Sequence, residues 1–174
     1  MEKEQASFLL SSIYLPALGN EHRITAAVID AIPAERSDYH PDEFSKSAME
    51  LSWHIVAAEM RFMDAVVAGE FNLSSNPRPE TIKTPADVIA WYKDNFERRL
   101  ENLQQLSGER LAKTVNFRDR LQLPAVMYLN IMLHHSVHHR GQLSAYLRPM
   151  GAKVPAIYGE SYDSAQARIA AQTA

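Results

Sequence analysis

The sequence predicts an all-α protein, a four-helix bundle formed by a single domain over residues 1–174. Two observations carry this prediction. Four long segments repeat apolar residues at helical spacing, and no segment shows the alternation of a convincing strand. Polar loops that contain proline or glycine separate the four segments. With 174 residues, of which 46% are hydrophobic, the chain is long enough to build its own core.

The first two helices are predicted from periodicity and from their end signals. Residues 4–31 form the first, and Pro16 should either kink it or mark its true start. The second begins after Ser47, because Ser47-Ala-Met-Glu50 has the pattern of a capping box. Gly69 is a suitable residue to end it.

The third and fourth helices follow after two polar loops. Thr84 as N-cap and Pro85 as first residue start the third helix, which ends near residues 107–108. The stretch 108–122 is predicted to be a loop with at most a short helical turn at 109–113. The fourth helix runs from Pro124 to about residue 150, and the tail 152–174 is partly irregular.

The composition excludes several classes of function. The net charge is −3 and no basic cluster appears, so no nucleic-acid partner is expected. Cysteine is absent, which excludes disulfides, a nucleophilic thiolate and thiolate metal ligands. No segment is apolar enough to span a bilayer, and the first residues do not resemble a secretion signal. We therefore expect a cytoplasmic protein without a membrane partner.

Four of the seven histidines fall within six residues of the fourth predicted helix. They form two pairs at i, i+4, His134 with His138 and His135 with His139, and either pair could bind one metal ion. On a helical projection His135 and His139 lie about 40° apart in the middle of an apolar stripe, with the other pair at or beyond its edge. Imidazoles on a core face are unfavourable unless each finds a partner, and a metal ion serves both. We predict His135 and His139 as ligands and the other two as partly exposed.

His54, in the middle of the second predicted helix, is the candidate for a third ligand. Taken alone it is more simply a hydrogen-bonded core residue, but together with the inward pair it completes a set of three. Three neutral imidazoles leave coordination positions open, as in catalytic metal sites. Zn, Ni and Fe all suit such ligands, so the sequence leaves the divalent metal open. His22 and His40 are predicted to lie at the surface.

Four further residues are weighed for roles near these histidines. Gln142 projects close to the histidine face and could orient a ligand or substrate, although a surface glutamine bonded to a loop explains it equally well. Glu50, one turn before His54, could act as a base or support the metal, but its capping role already accounts for it. Arg140 projects away and is interpreted as an ion-pair or interface residue. Tyr158 could fold over the site, or simply pack.

Several motifs together resemble the DinB/YfiT-like family, and the likeness spans nearly the whole chain. They are Trp53-His54 followed by Ala58-Glu59, His135-x-x-x-His139-Arg140-Gly141-Gln142, Tyr146-Leu147-Arg148, and Gly151-x-x-Val154-Pro155-x-Ile157-Tyr158-Gly159. The second and the last of these are the most specific.

The resemblance implies an up-down-down-up four-helix bundle that holds a divalent metal through three histidines, here His54, His135 and His139. It also implies frequent homodimers. Relatives with known activity are thiol-dependent, either S-transferases for bacillithiol or mycothiol or isomerases. A low-molecular-weight thiol and an electrophilic small molecule are therefore the implied partners, although many members have no assigned reaction.

Three functions remain open at this point. An enzyme, whether a thiol S-transferase, an isomerase or a hydrolase, would use the open metal positions to lower the pKa of a bound thiol or water. A non-catalytic metal-binding stress-response protein would use the same three ligands without turnover. A structural helical dimer would bury the histidines only as core. An enzyme needs a water-accessible cavity beside the metal with polar groups converging on it.

A homodimer is also expected from two surplus apolar stripes. One lies on the second predicted helix and one on the fourth: Met49, Trp53, Val56, Met60, Met63 and Val67; Val126, Leu129, Leu133 and Val137. Large apolar patches are rarely left in water, and a two-fold interface would cover them. The alternative is that the tail and the long loops cover them within one chain.

Overall fold

The computed structural model describes residues 1–74 and 77–173 and confirms an all-α fold built on a helical bundle. The helices are α1 (Lys3–Phe8), a π-helical segment (Leu9–Tyr14), α2 (Leu15–Asp30), α3 (Ala48–Ala68), α4 (Pro85–Gln104), α5 (Gly108–Ala112), α6 (Met127–Leu147) and α7 (Tyr162–Gln172). A short 3₁₀ turn (Ala34–Arg36) follows α2. Two short antiparallel strands, β1 (Thr114–Phe117) and β2 (Leu121–Pro124), lie between α5 and α6.

The predicted helix ends are largely confirmed. Ser47 accepts a hydrogen bond from the Glu50 N–H, and the Glu50 carboxylate accepts one from the Ser47 N–H, so the predicted capping box starts α3. Gly69 ends that helix with a φ of 75°, in the left-handed region. The disturbance expected at Pro16 is the π-helical segment directly before α2, whose wider turns accommodate a residue without an N–H.

The four long helices α2, α3, α4 and α6 form the bundle. Both α2 and α3 pack against α4 and α6, which places α2 and α3 diagonally. Helices α3 and α4 run parallel, because the contact of Glu59 with Tyr92 is followed further along both helices by that of Asp64 with Arg99. Helices α3 and α6 are antiparallel, because His54 contacts His139 whereas Phe62, further along α3, lies near the earlier residue His135 of α6.

The prediction that no strand occurs is wrong for residues 114–124. The hairpin turn lies at Arg118 and Asp119, both with a φ of 56°. Glycine or asparagine usually occupies such positions, so the sequence lacks the expected turn signal. Asn116 compensates, since its amide donates to the Asp119 carboxylate and its oxygen accepts from the Asp119 N–H. Pro124 ends β2, and α6 begins at Met127 rather than at the proline.

The two surplus apolar stripes are mostly covered within one chain. All members of the α3 stripe except Val67 are buried, as are the first two members of the stripe that leads into α6. Leu133 and Val137 are half-buried. The stripes therefore leave little apolar surface for a partner. The homodimer stays a prediction, but the two apolar stripes no longer support it.

Candidate metal centre

Three half-buried histidines meet where α3 faces α6. Nε2 of His54 lies 3.1 Å from Nε2 of His135 and 3.3 Å from Nε2 of His139. One nitrogen from each ring lies within 4.8 Å of the other two, so the three form a group able to hold a metal ion. The i, i+4 pair comes from successive turns of α6 and the third ring from the antiparallel helix α3. These are the three residues proposed from the sequence.

Gln142 determines which nitrogen of the His139 ring faces the other two histidines. Its side-chain Nε2 donates to the Tyr146 hydroxyl at 3.2 Å, which leaves Oε1 to accept a hydrogen bond from Nδ1 of His139 at 3.1 Å. Because Nδ1 of His139 carries a hydrogen, Nε2 is the nitrogen of that ring that can present a lone pair to the cluster. Gln142 thus contacts the histidine cluster, as its helical projection suggested, by its hydrogen bond with His139.

The chemistry of the three nitrogens fits a divalent cation. Lone pairs at these separations repel one another unless a proton or a cation lies between them, and one shared proton bridges only two nitrogens. Two nitrogens bound to one Zn ion at ~2.0–2.1 Å in tetrahedral geometry lie roughly 3.3 Å apart. The observed separations of 3.1 and 3.3 Å agree with this spacing.

Burial favours the neutral form of two of the three rings, His54 and His135. Desolvation, with smaller contributions from His139 and His54, lowers the pKa of His135 to about 4. Desolvation also lowers the pKa of His54, followed by the effect of His139. Nδ1 of His135 is buried and makes no hydrogen bond within the described residues. Neutral imidazole is the ligand form, so His54 and His135 need no deprotonation at neutral pH.

A cleft of about 750 Å³ opens beside the histidines. Its lining includes His54, His135 and an apolar group from several elements: Trp53, Ala57, Ala58, Phe62, Phe71, Phe117 and Ile131. The β1–β2 hairpin reaches this cleft through Phe117, whose ring packs 4.7 Å from that of Phe71. The hairpin is fixed to α6 by the Tyr128 hydroxyl, which lies 2.9 Å from the Val115 carbonyl oxygen. The hairpin that sequence reasoning missed thus forms one wall of the site.

Comparison with known proteins establishes the family. The sequence profile described as "DinB family" matches residues 13–173, nearly the whole chain. The chain belongs to the DinB family. The resemblance seen in the sequence motifs is therefore confirmed, and the histidine cluster is a feature of a DinB-family bundle.

Relatives of this DinB-family chain come from Bacillus. The uncharacterized protein YjoA of Bacillus subtilis (strain 168) is 29% identical over 133 residues, which cover 75% of this chain and 84% of YjoA. The uncharacterized protein YrdA of the same organism is 28% identical over 115 residues, covering 63% and 64% of the two chains.

Two crystal structures share the fold of this DinB-family chain. The DinB-like protein YjoA from Bacillus subtilis has a TM-score of 0.68 and 22% identity, covering 84% of this chain and 99% of that chain. A DinB-like protein from Bacillus cereus ATCC 10987 has a TM-score of 0.70 and 21% identity, covering 83% and 95%.

The remaining histidines of the DinB-family chain lie outside the cluster. His134 and His138 are exposed, as predicted, and so is His40. His22, predicted at the surface, is instead half-buried, with its ring stacked 4.0 Å from that of Phe96. His22 lies between charged residues in the sequence, which favoured a surface position. In the structure its ring points toward α4 and packs there.

The other candidate residues have mainly structural contacts. Glu50 is engaged in the capping box at the exposed start of α3, although it also lines the cleft. Arg140 is buried, and its Nη2 lies 2.6 Å from Oε2 of Glu21, which confirms the interpretation as an ion-pair residue. Tyr158 does not lie over the histidines, since its hydroxyl donates to the same Glu21 carboxylate at 2.7 Å.

One buried carboxyl group on α3, that of Glu59, belongs to the Ala58-Glu59 motif but had no role predicted from the sequence. Glu59 is 3% exposed and accepts a hydrogen bond from the Tyr92 hydroxyl of α4. Burial raises the pKa of Glu59, and burial together with Glu59 raises that of Tyr92. The signal that could have predicted its burial is the position of a glutamate within an apolar run of the helix. This pair joins α3 to α4 across the core.

Among the residues that the structure describes, no helix is both long enough and apolar enough to cross a membrane.

Proposed function

We propose that this protein binds one divalent metal ion through His54, His135 and His139 and catalyses thiol-dependent transfer or isomerisation of an electrophilic small molecule. The observation that carries the proposal is the convergence of three imidazole nitrogens at the edge of an open cleft. Three protein ligands leave further positions open, as in catalytic sites. Zn, Ni and Fe are the candidate metals.

The residues of the chain supply binding, orientation and shielding. A bound divalent ion would act as a Lewis acid that lowers the pKa of a coordinated thiol or water. Gln142 holds the Nδ1 proton of His139 and so keeps that ring correctly oriented. Phe62 and Ile131 line the cleft and exclude water from part of it. Because the chain contains no cysteine, a reacting thiol must come from another molecule.

The cleft favours an enzyme over a non-catalytic metal-binding stress-response protein. Sequestration requires the three ligands alone, whereas turnover also requires room for a substrate beside them. The 750 Å³ cleft provides that room, and polar side chains from α3 and the hairpin converge on it. A hydrolase would use the same cleft with water in place of the thiol.

The test is a transfer assay on metal-reconstituted protein. The protein is purified without a His-tag and loaded separately with Zn, Ni or Fe(II). Each form is mixed with 1-chloro-2,4-dinitrobenzene and one thiol: bacillithiol, mycothiol, glutathione or cysteine. Thioether formation is followed by absorbance. We expect one metal and thiol pair to exceed the rate of free metal and thiol, with activity lost in His139→Ala and kept in His134→Ala. Stoichiometric metal without any such rate would contradict the thiol transferase and favour the non-catalytic alternative.

A further inference from the structure

The cleft beside the histidines carries a charge opposite to that of the whole protein. Lys46, Arg61, Arg78 and Arg118 line it, and Glu50 is the one carboxylate among its lining residues, so their formal charges sum to +3 (four positive and one negative). The whole chain has a net charge of −3. None of the four basic residues forms a salt bridge in the part of the chain that the structure describes.

Arg61 has the most direct relation to the histidine cluster. It follows His54 by seven residues on α3, which places it two turns along the same helix face, about 10 Å away along the axis. Ala57 and Ala58 lie between the two and, having only methyl side chains, leave the floor of the cleft open. A ligand of moderate size can therefore contact the histidine end and the arginine end at once.

Among the residues that the structure describes, no acidic side chain forms a salt bridge with Arg61. Asp64, one turn further along α3, is held by Arg99 through Nε at 2.8 Å and Nη2 at 2.9 Å. Within residues 1–74 and 77–173, Arg61 donates one hydrogen bond, to the Ser74 carbonyl oxygen at 3.2 Å. A guanidinium has five N–H donors, so most of its capacity remains for a ligand.

The positive charge is distributed unevenly along the cleft. Glu50 interacts with Lys46 and Arg78, and these two cations help to lower the pKa of its carboxyl group after the larger effect of the Ser47 N–H. Glu50 therefore offsets part of their charge. Arg118 lies on the hairpin turn, its guanidinium 5.4 Å from the centroid of the Phe117 ring. Arg61 and Arg118 are the cations of the cleft without a carboxylate partner in the described part of the chain.

We propose that this cleft binds an organic anion with two or more negative charges on an apolar body, its carboxylate or phosphate groups held by Arg61 and Arg118. Arginine pairs bidentately with either group, and the aromatic walls suit the apolar part. The proposal rests on the proposed function in one respect only, that the reacting group of the ligand lies at the histidine end of the cleft. The anion contacts themselves require no metal.

The test uses metal-free full-length protein, so that its result is independent of catalysis. Calorimetric titration at pH 7.5 compares naphthalene-2,6-dicarboxylate and 1-naphthyl phosphate with the neutral 1-naphthol, which separates the carboxylate from the phosphate source. We expect at least one dianion to bind about tenfold or more tightly than the neutral probe, because each charged contact contributes at least that factor. The preferred dianion shows whether the cleft favours a carboxylate or a phosphate group.

Variants then locate the contacts. Arg61→Gln and Arg118→Gln should each weaken binding of the preferred dianion about tenfold. Arg98→Gln, which removes the same charge from the exposed face of α4, should leave it unchanged. Equal binding of neutral and dianionic probes, no dianion binding at millimolar concentration, or equal losses in the Arg61 and Arg98 variants would each overturn the proposal. Failure of the transfer assay would leave this result standing, since no metal is present.

Discussion

Nδ1 of His139 donates a hydrogen bond to Oε1 of Gln142 over 3.1 Å, and this contact directs the lone pair of the ring into the histidine cluster. Replacing Gln142 by Leu removes the acceptor while keeping a side chain of similar length. Loss of such a partner lowers metal affinity by about 10–100-fold. Competition with a chromophoric chelator measures this change.

Gln142→Glu provides the matched variant for this prediction. A carboxylate also accepts from Nδ1–H, so the affinity for metal should stay close to that of the natural protein or exceed it. Equal metal affinity in the Leu variant, the Glu variant and the natural protein would show that Gln142 has no influence on the ligand ring.

Metal content distinguishes the two histidine pairs of α6. Replacing His54, His135 or His139 by Ala removes one of the converging nitrogens and should abolish stoichiometric binding. The exposed His134 and His138 offer matched controls on the same helix, and their Ala variants should keep one metal per chain. Elemental analysis of protein purified without a His-tag measures this. Loss of metal in His134→Ala with retention in His135→Ala would overturn the assignment.

Removal of the metal should lower the melting temperature. A metal that binds only the folded bundle stabilises it by mass action, by about 2.7 kcal/mol when free metal is 100 times its Kd. Protons compete for the same nitrogens, and burial lowers the pKa of His54 and lowers that of His135 to about 4, so the effect of a chelator should shrink as the pH falls below 6.5 toward 4. Differential scanning calorimetry with and without chelator checks both points. An unchanged melting curve after verified metal removal would reject the coupling.

Part of this architecture could be predicted from sequence because its determinants are local. The capping box at Ser47, the N-cap Thr84 and Gly69 depend on residues close together in the chain, and they start or end helices where expected. The histidine trio could be predicted because helical spacing fixes which of four adjacent rings share a face, and His54 was the inward candidate on a neighbouring helix.

Other features depend on contacts between distant residues. The hairpin turn at Arg118 and Asp119 is stabilised by Asn116 without the usual glycine, so its local pattern resembles a loop. The surplus apolar stripes looked like an interface because periodicity does not reveal that residues such as Trp53 pack within the same chain. The positive cleft combines residues of α3, the loop before α4 and the hairpin, and no single stretch of sequence contains them all.

Light scattering tests the predicted homodimer. A mass near the 19.6 kDa of one chain would contradict it.

Acid should destabilise the protein through His22 as well as through the metal ligands. Burial, with a smaller effect of Lys93, lowers the pKa of His22 from 6.5 to about 4. The folded state therefore binds fewer protons than the unfolded state, and the stability due to neutral His22 is complete above pH 6.5 and is lost as the pH falls toward 4. Allowing for partial solvent screening, His22→Gln should reduce the loss between pH 7 and 4 by on the order of 1–2 kcal/mol.

Chemical denaturation of metal-free protein at several pH values measures this effect. The exposed His40 supplies the control, and His40→Gln should show the pH dependence of the natural protein. If the His22 and His40 variants lose equal stability between pH 7 and 4, burial of His22 does not contribute to acid sensitivity.

The ion pair between Arg140 and Glu21 should be among the most sensitive positions outside the histidine cluster. The Arg140 side chain is 1% exposed and that of Glu21 14% exposed, and the charged atoms lie 2.6 Å apart. Arg140→Met keeps much of the side-chain volume but leaves the largely buried carboxylate without its cation. Breaking a buried pair in this way typically destabilises a protein by about 3–5 kcal/mol.

Three companion measurements make this last prediction specific. Arg98→Met at the exposed face of α4 should change the free energy of unfolding by no more than about 0.5 kcal/mol. Combining Arg140→Met with Glu21→Gln removes both charges and should recover part of the loss, because no isolated charge stays buried. Metal content of the folded Arg140→Met protein should equal that of the natural protein, since Arg140 contacts α2 and the tail and not the three ligand rings. A loss below about 1 kcal/mol in Arg140→Met, or no recovery in the double variant, would show that the pair does not stabilise the bundle.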